Sequence, residues 1–190
     1  MNIKSLLAAT FAVASMSTLS MAQTRTIEHE YSEFDAISVS DGFKVSFVES
    51  DGYSAKFKVN DAFESYVQCY VKAGTLYIGV DDKSIPKEVK KSFKGKNSDD
   101  PVLEATVYVP SLNAVTLSDN CTFSCDKDIN APKFTLELSG TSSVSNLNIH
   151  AGESAVITVS KKAKLSSVNV KAEDKVTVNA EGNASVVLEY

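Results

Sequence analysis

Two histidines, three cysteines and a few clustered carboxylates are the side chains best equipped for chemistry in this 190-residue chain. His29 lies near the start and His150 ends a strand-like segment far along the chain, so a histidine-based triad or zinc cluster is hard to assemble from them. The paired carboxylates Asp81-Asp82 and Asp99-Asp100 flank a lysine-rich stretch and read as solvated loop charge. Glycoside hydrolysis needs two carboxyls held across a cleft, which this arrangement does not promise. Asp126, Asp128, Asn130 and Glu137 match positions one, three, five and twelve of a calcium loop. Ala131 stands where such a loop needs glycine, Pro132 stiffens it, and the flanks read as strands where an EF-hand has helices. The match reads as coincidence, although calcium at these four residues stays an open question. We therefore assign no catalytic residue, no cofactor and no metal site, and expect a protein that is not an enzyme.

The cysteines are Cys69, Cys121 and Cys125, an odd number. Cys121 falls in a column of small inward residues and reads as a buried, inert thiol. A Cys121–Cys125 bridge would need a tight turn, because four residues of extended chain exceed disulfide reach. Their pairing is left open.

Binding is harder to dismiss than catalysis. The chain has no tryptophan for stacking on sugars, but Tyr31, Tyr53, Tyr66, Tyr70, Tyr77 and Tyr108 could present aromatic faces. Thr122, Ser143, Lys164 and Ser185 recur as an outward polar ladder, a flat surface suited to glycan or protein and equally to solvent. Six lysines lie between Lys83 and Lys96, on a chain whose formal charge is −5. Within this stretch Ile85, Val89 and Phe93 share one face of a short helix that Ser84 could cap, with Pro86 in its first turn and Gly95 ending it. It reads as a solvated insertion docked by three apolar residues; a basic contact site for a membrane or an anionic glycan is the alternative. A mildly acidic chain with 23% charged residues carries no electrostatic footprint for nucleic acid.

The elements that must position these groups read as strands. Residues 1–22 are set aside as an export signal: Lys4, the apolar run Leu6 to Val13, and the small residues Ser20 and Ala22 around Met21. That run is too short to span a bilayer. No cysteine follows the cleavage point, so lipid anchoring there is not expected, and no later segment is apolar enough to be transmembrane. Removing Lys4 leaves 18 basic against 24 acidic residues, a net charge of −6. Residues 23–190 are expected to form one domain, with a strand-rich half at 27–80, the lysine-rich insertion at 81–101 and a repeat half at 102–190.

In that last part four columns stay apolar or small at a spacing of 21 residues. They are Val115/Leu136/Ile157/Val178, Leu117/Leu138/Val159/Ala180, Cys121/Ser142/Ala163/Ala184 and Phe123/Val144/Leu165/Val186. Polar residues alternate with them, the pattern of strands with one buried face. The triplets Ser118-Asp119-Asn120, Ser139-Gly140-Thr141, Ser160-Lys161-Lys162 and Glu181-Gly182-Asn183 supply a corner after each first strand. The periodicity predicts an all-β fold, a right-handed parallel β-helix-like solenoid with 21-residue coils in the C-terminal half. Asp126 and Asp128 break the third-strand columns of the first unit, so a bulge is expected there.

Phe34 to Val45 (FDAISVSDGFKV) aligns without gaps on Leu112 to Phe123 (LNAVTLSDNCTF). With the export signal, the AGTLYI turn at Gly74 and the TVYVPSLNAVTLSD link, this order of motifs resembles the putative auto-transporter adhesin, head GIN domain family of exported Bacteroidota proteins. The resemblance covers roughly Phe34 to the C-terminus. It implies a β-helical fold, an exported location, periplasmic or extracellular, and an adhesin-like or cell-envelope surface-binding role toward an unknown protein or glycan ligand. It brings no catalytic or binding residue with it. A polysaccharide-binding or polysaccharide-processing β-helix is the alternative.

Overall fold

Strict alternation of apolar and polar side chains leaves these segments little choice but to pair as strands and bury one face. Leu103–Val109 shows it most plainly, with Leu103, Ala105, Val107 and Val109 buried and the residues between them partly open. The computed structural model describes residues 23–93 and 101–189; the expected leader at 1–22, Gly95 and the Asp99-Asp100 pair lie outside the described residues.

Six strands precede the lysine-rich stretch: β1 (Thr24–Glu30), β2 (Ala36–Val39), β3 (Lys44–Glu49), β4 (Ser54–Asn60), β5 (Val67–Lys72) and β6 (Thr75–Val80). The short helix α1 (Lys87–Ser92) follows. Then come β7 (Leu103–Val109), β8 (Ala114–Leu117), β9 (Thr122–Cys125) and β10 (Ile129–Leu138). The chain ends on β11 (Ser143–Val159), β12 (Lys164–Ala172), β13 (Lys175–Ala180) and β14 (Ser185–Glu189).

All fourteen join one sheet whose main path runs β1-β4-β7-β3-β9-β11-β10-β8-β2-β6-β5. β12 and β13 pair with β11, and β14 with β12. The all-β expectation stands, but the right-handed parallel β-helix solenoid does not: the sheet is a curled half-barrel of mixed strands. Three pairings are antiparallel, β1 with β4, β4 with β7, and β5 with β6 across the Ala73-Gly74 turn. Nor are the segments equivalent coils. β8 and β9 have four residues each, β10 has ten, and β11 has seventeen, with the left-handed Asn146 (φ 55°) inside its run. The physical reason for the error is simple. Alternation reports which face of a strand is buried, and a curled sheet and a closed solenoid demand the same alternation.

Neighbouring strands do meet column on column. Leu136 lies beside Ile157, and Ile157 beside Val178. Phe34 to Val45 also sits next to the segment it resembles, with Ile37 beside Val115, Val39 beside Leu117 and Val45 beside Phe123. The middle residue of each corner is left-handed: Asp41 (φ 61°), Asp119 (59°), Gly140 (72°), Lys161 (61°) and Gly182 (71°). These corners bond to one another, Thr141 N–H to Asp119 O at 2.5 Å, Lys162 N–H to Gly140 O at 2.9 Å and Asn183 N–H to Lys161 O at 2.7 Å.

The core lies in the concavity of the sheet, where Phe43 and Phe57 meet edge to face with ring centroids 6.4 Å apart. Helix α1 and the residues flanking it dock on the core through Ile85, Val89 and Phe93, and Phe93 packs 5.0 Å from the Phe63 ring. Its N-cap is Pro86 and has no side-chain cap bond. Ser84, expected to cap it, instead donates its hydroxyl to Asp81 at 2.6 Å.

Register makes the first prediction. Ile157→Asp puts an unpaired carboxylate at a fully buried position and should unfold the protein, at a cost of several kcal/mol, roughly 3 or more. Thr158→Lys, one residue along and directly beside Glu137, should leave the thermal midpoint nearly unchanged. Equal tolerance at the two sites, read by circular dichroism, would refute the register. The corners make the second. A Cβ on Gly140 would lie 2.5 Å from the Asp119 carbonyl oxygen, and the residue holds φ of 72°. Gly140→Ala should therefore destabilise by about 1–3 kcal/mol in urea titration.

A candidate ligand groove at the β10–β12 elbow

The groove begins with a missing hydrogen-bond donor. Pro132 has no N–H to give the ladder. Ala131 pairs with Ala151 and Lys133 with Ser154, so Gly152 and Glu153 both face Pro132. Two residues opposite one is a bulge, and bulges bend strands and redirect side chains. The shift falls at Pro132, three residues beyond Ile129, where the sequence first slips out of column. β10, β11 and β12 turn together at this point and leave an open groove of about 800 Å³.

Its floor is made of small groups, Ala131, Ala151, Gly152 and Ala172. One wall is a row of outward side chains on three adjacent strands, Asn130 beside His150 and His150 beside Lys171. The opposite wall carries Glu153 and Glu173. Lys133 Nζ stands 3.0 Å from Glu153 and bridges the bulge. Asp128 organises the first wall: its carboxylate accepts from Asn148 Nδ2 at 2.9 Å and lies 3.5 Å from His150 Nε2. Asn130 Nδ2 donates to the Asp128 backbone carbonyl at 3.3 Å. Amide, imidazole, ammonium and carboxylate groups thus share one open trough, a set that can bond a hydroxyl-rich or mixed-charge ligand from both sides.

The calcium-loop residues do not converge. Asn130 belongs to this wall, while Asp126 and Asp128 both line a separate recess with Phe47 and Cys125, and Asp128 meets the wall only through Asn130 and His150. Glu137 lies on the open face of β10 between Thr116 and Thr158. Among the described residues, no three His, Cys, Asp or Glu side chains gather as a metal would require. His29 is far from His150 in the fold, in a recess with Tyr31 and Cys69. Asp82 pairs with Lys90 of α1 at 2.8 Å. The outward ladder forms side by side, Thr122 next to Ser143, Ser143 next to Lys164 and Lys164 next to Ser185. The Asp128–His150–Asn148 cluster is what sequence reasoning missed. Asn130 and His150 are twenty residues apart and His150 and Lys171 twenty-one, so a strict 21-residue frame hides their adjacency.

All three cysteines are free thiols. Burial pushes Cys69 up to about 11, against a smaller lowering from its bond with Tyr31, and burial of the Tyr31 hydroxyl raises that group well above its ordinary value. Burial likewise pushes Cys121 up to about 11 and raises Cys125.

A family model described as putative auto-transporter adhesin, head GIN domain, matches residues 33–189. Among solved structures, a putative adhesin from Bacteroides fragilis is similar at 13% identity and a TM-score of 0.55, over 88% of this chain and 98% of its own. A putative adhesin from Parabacteroides merdae follows at 11% identity and 0.48, over 89% and 97%. A putative lipid binding protein from Parabacteroides distasonis follows at 12% and 0.44, over 89% and 98%. The first of these shares the fold. No curated protein matches. No helix among the described residues is long and apolar enough to cross a membrane.

The thiols give a pH prediction. The unfolded chain releases thiol protons near pH ~8.5, and folded Cys69 and Cys121 keep theirs to about 11. Between those values the folded state binds more protons, so stability should fall as pH rises through that window. Thiolate is the reactive form. Alkylation of native protein by iodoacetamide at about pH 8 should be far slower than in urea, and equal rates would contradict the burial.

Proposed function

We propose that this chain, which belongs to the putative auto-transporter adhesin, head GIN domain family, is an exported, non-catalytic surface-binding module of the cell envelope. The observation that carries the reading is the bulged groove: an open trough about 800 Å³ in extent whose polar walls are held in place by their own neighbours. Preorganised side chains of this kind lose little rotamer freedom when a ligand arrives. The leader at 1–22, with Lys4 and the small residues near Ala22, supports export to the periplasm or the cell exterior. The net charge of −5 argues for a protein or glycan ligand over nucleic acid.

A second reading, polysaccharide processing, is favoured by one contact, the Asp128 carboxylate 3.5 Å from the His150 imidazole that lines the open groove. The two readings part on turnover. Full-length protein, exported by the cell and purified from that compartment, should bind envelope preparations or arrayed glycans and release no product from a polysaccharide panel. Exchanging Lys171 for Glu should weaken that binding by roughly tenfold, with circular dichroism unchanged. Product release that Asp128→Asn abolishes would move the protein into the processing class, and retention of all binding by the Lys171 variant would remove the groove from the function.

A further inference from the structure

The sheet has a second open face far from the groove, and its chemistry is different. β5 ends the strand order, so Tyr70 stands on an edge with one ring face stacked on Tyr77 and half its surface open to solvent. The two rings are nearly parallel, with centroids 5.2 Å apart and planes 15° apart. A shallow recess of about 110 Å³ lies against this pair, lined also by Ser38, Ser40, Asp41 and Gln68. Its base is Gly79, where a Cβ would stand 2.5 Å from Ser40 Oγ and 2.8 Å from Asp41 Oδ2. Glycine at that position therefore lets Ser40 and Asp41 lie over the strand. Asp41 Oδ2 accepts from Ser40 Oγ at 2.5 Å and from the Val80 N–H at 3.0 Å, which fixes the carboxylate and leaves Oδ1 for a ligand.

From this geometry we infer that the Tyr70–Tyr77 edge is a recognition subsite for one unit of a neutral saccharide. A pyranose ring has an apolar face of C–H bonds and a rim of hydroxyl pairs. An open aromatic face attracts the C–H hydrogens through its quadrupole. A carboxylate and a carboxamide, Asp41 and Gln68, bond the rim hydroxyls, and Asp41 accepts from them with charge assistance. The recess contains an acid and neither lysine nor arginine, which disfavours uronate, sulfate or phosphate groups. Lys72, the cation on β5, stands in the next outward row beside Thr75. Leading away from Tyr77, the same outward row continues through Ser38, Thr116, Glu137 and Thr158, one strand at a time. At ~4.8 Å per strand, it offers a track of three hydroxyls and the Glu137 carboxylate, all acceptors for sugar hydroxyls, along which further units of one chain could lie. The subsite uses none of the groove residues and stands whether or not the groove binds.

The test is titration of the full-length exported protein with neutral hexasaccharides, cellohexaose, mannohexaose and maltohexaose, followed by NMR chemical shifts. Trigalacturonic acid and a strand-forming hexapeptide serve as comparators. At least one neutral probe should move resonances of Tyr70, Tyr77 and Gln68 first, and trigalacturonic acid should not. Truncation of the exposed ring in Tyr70→Ala should weaken that affinity by roughly three- to tenfold, while Tyr70→Phe keeps most of it. Asp41→Asn, which tolerates the left-handed backbone there, should weaken it too. The groove variant Lys171→Glu should leave it unchanged, so loss of groove binding alone fails the functional reading and not this one. Silence of all three neutral probes, stronger shifts with the acidic sugar, or selective binding of the peptide along β5 would each overturn the assignment.

Discussion

A slip of one residue between any two neighbouring strands would turn every buried side chain of one of them toward water. This constraint governs the molecule. β2, β8, β10, β11 and β13 stand side by side with Ile37, Val115, Leu136, Ile157 and Val178 in one row. The first four of these are at most 1% exposed, whereas Val178, with no strand beyond β13 among the described residues, is 38% exposed. The corners enforce the row. A left-handed residue closes each one at the same place relative to its strand, and each corner takes backbone bonds from the next. Backbone groups that would otherwise be orphaned at a bend are thereby paired.

The constraint is relaxed in one place within this row of strands, and there the candidate groove appears. Proline cannot complete the ladder, so β11 spends two residues where β10 spends one. The bend turns Asn130, His150 and Lys171 into a wall and opens room above Ala151 and Gly152. The concavity follows from local backbone chemistry.

Legibility of the sequence divides along the same line. The buried faces, the corner triplets and the likeness of Phe34 to Val45 with Leu112 to Phe123 could be read because periodicity and register are the same fact seen in one and three dimensions. Global closure could not. The antiparallel pairings of β1, β4 and β7 depend on which edges find each other, and β11 bends at its bulge without losing its pairing. The family resemblance was legible, carried by the order of turn motifs. The site was legible only in fragments. Asp128 and Asn130 drew attention as calcium ligands, yet the Asp128 carboxylate is partnered by Asn148 and His150, and Asn130 bonds the Asp128 carbonyl. A one-residue change of offset at the bulge was enough to conceal that.

The two open faces also differ in what holds them together. At the groove, Lys133 pairs with Glu153 and His150 lies near Asp128, both contacts exposed to water and salt. Such exposed pairs contribute little stability, about 0–1 kcal/mol, so nothing in the fold requires them and their arrangement is free to serve contact. At the Tyr70 edge the ordering force is packing and hydrogen bonding: ring on ring, and a carboxylate tied to a backbone amide. These interactions are short in range and little screened by salt. A ligand held at the groove should therefore respond to ionic strength, and one held at the edge should not. Two faces of a single sheet thus differ in the physics by which they can recognise a surface.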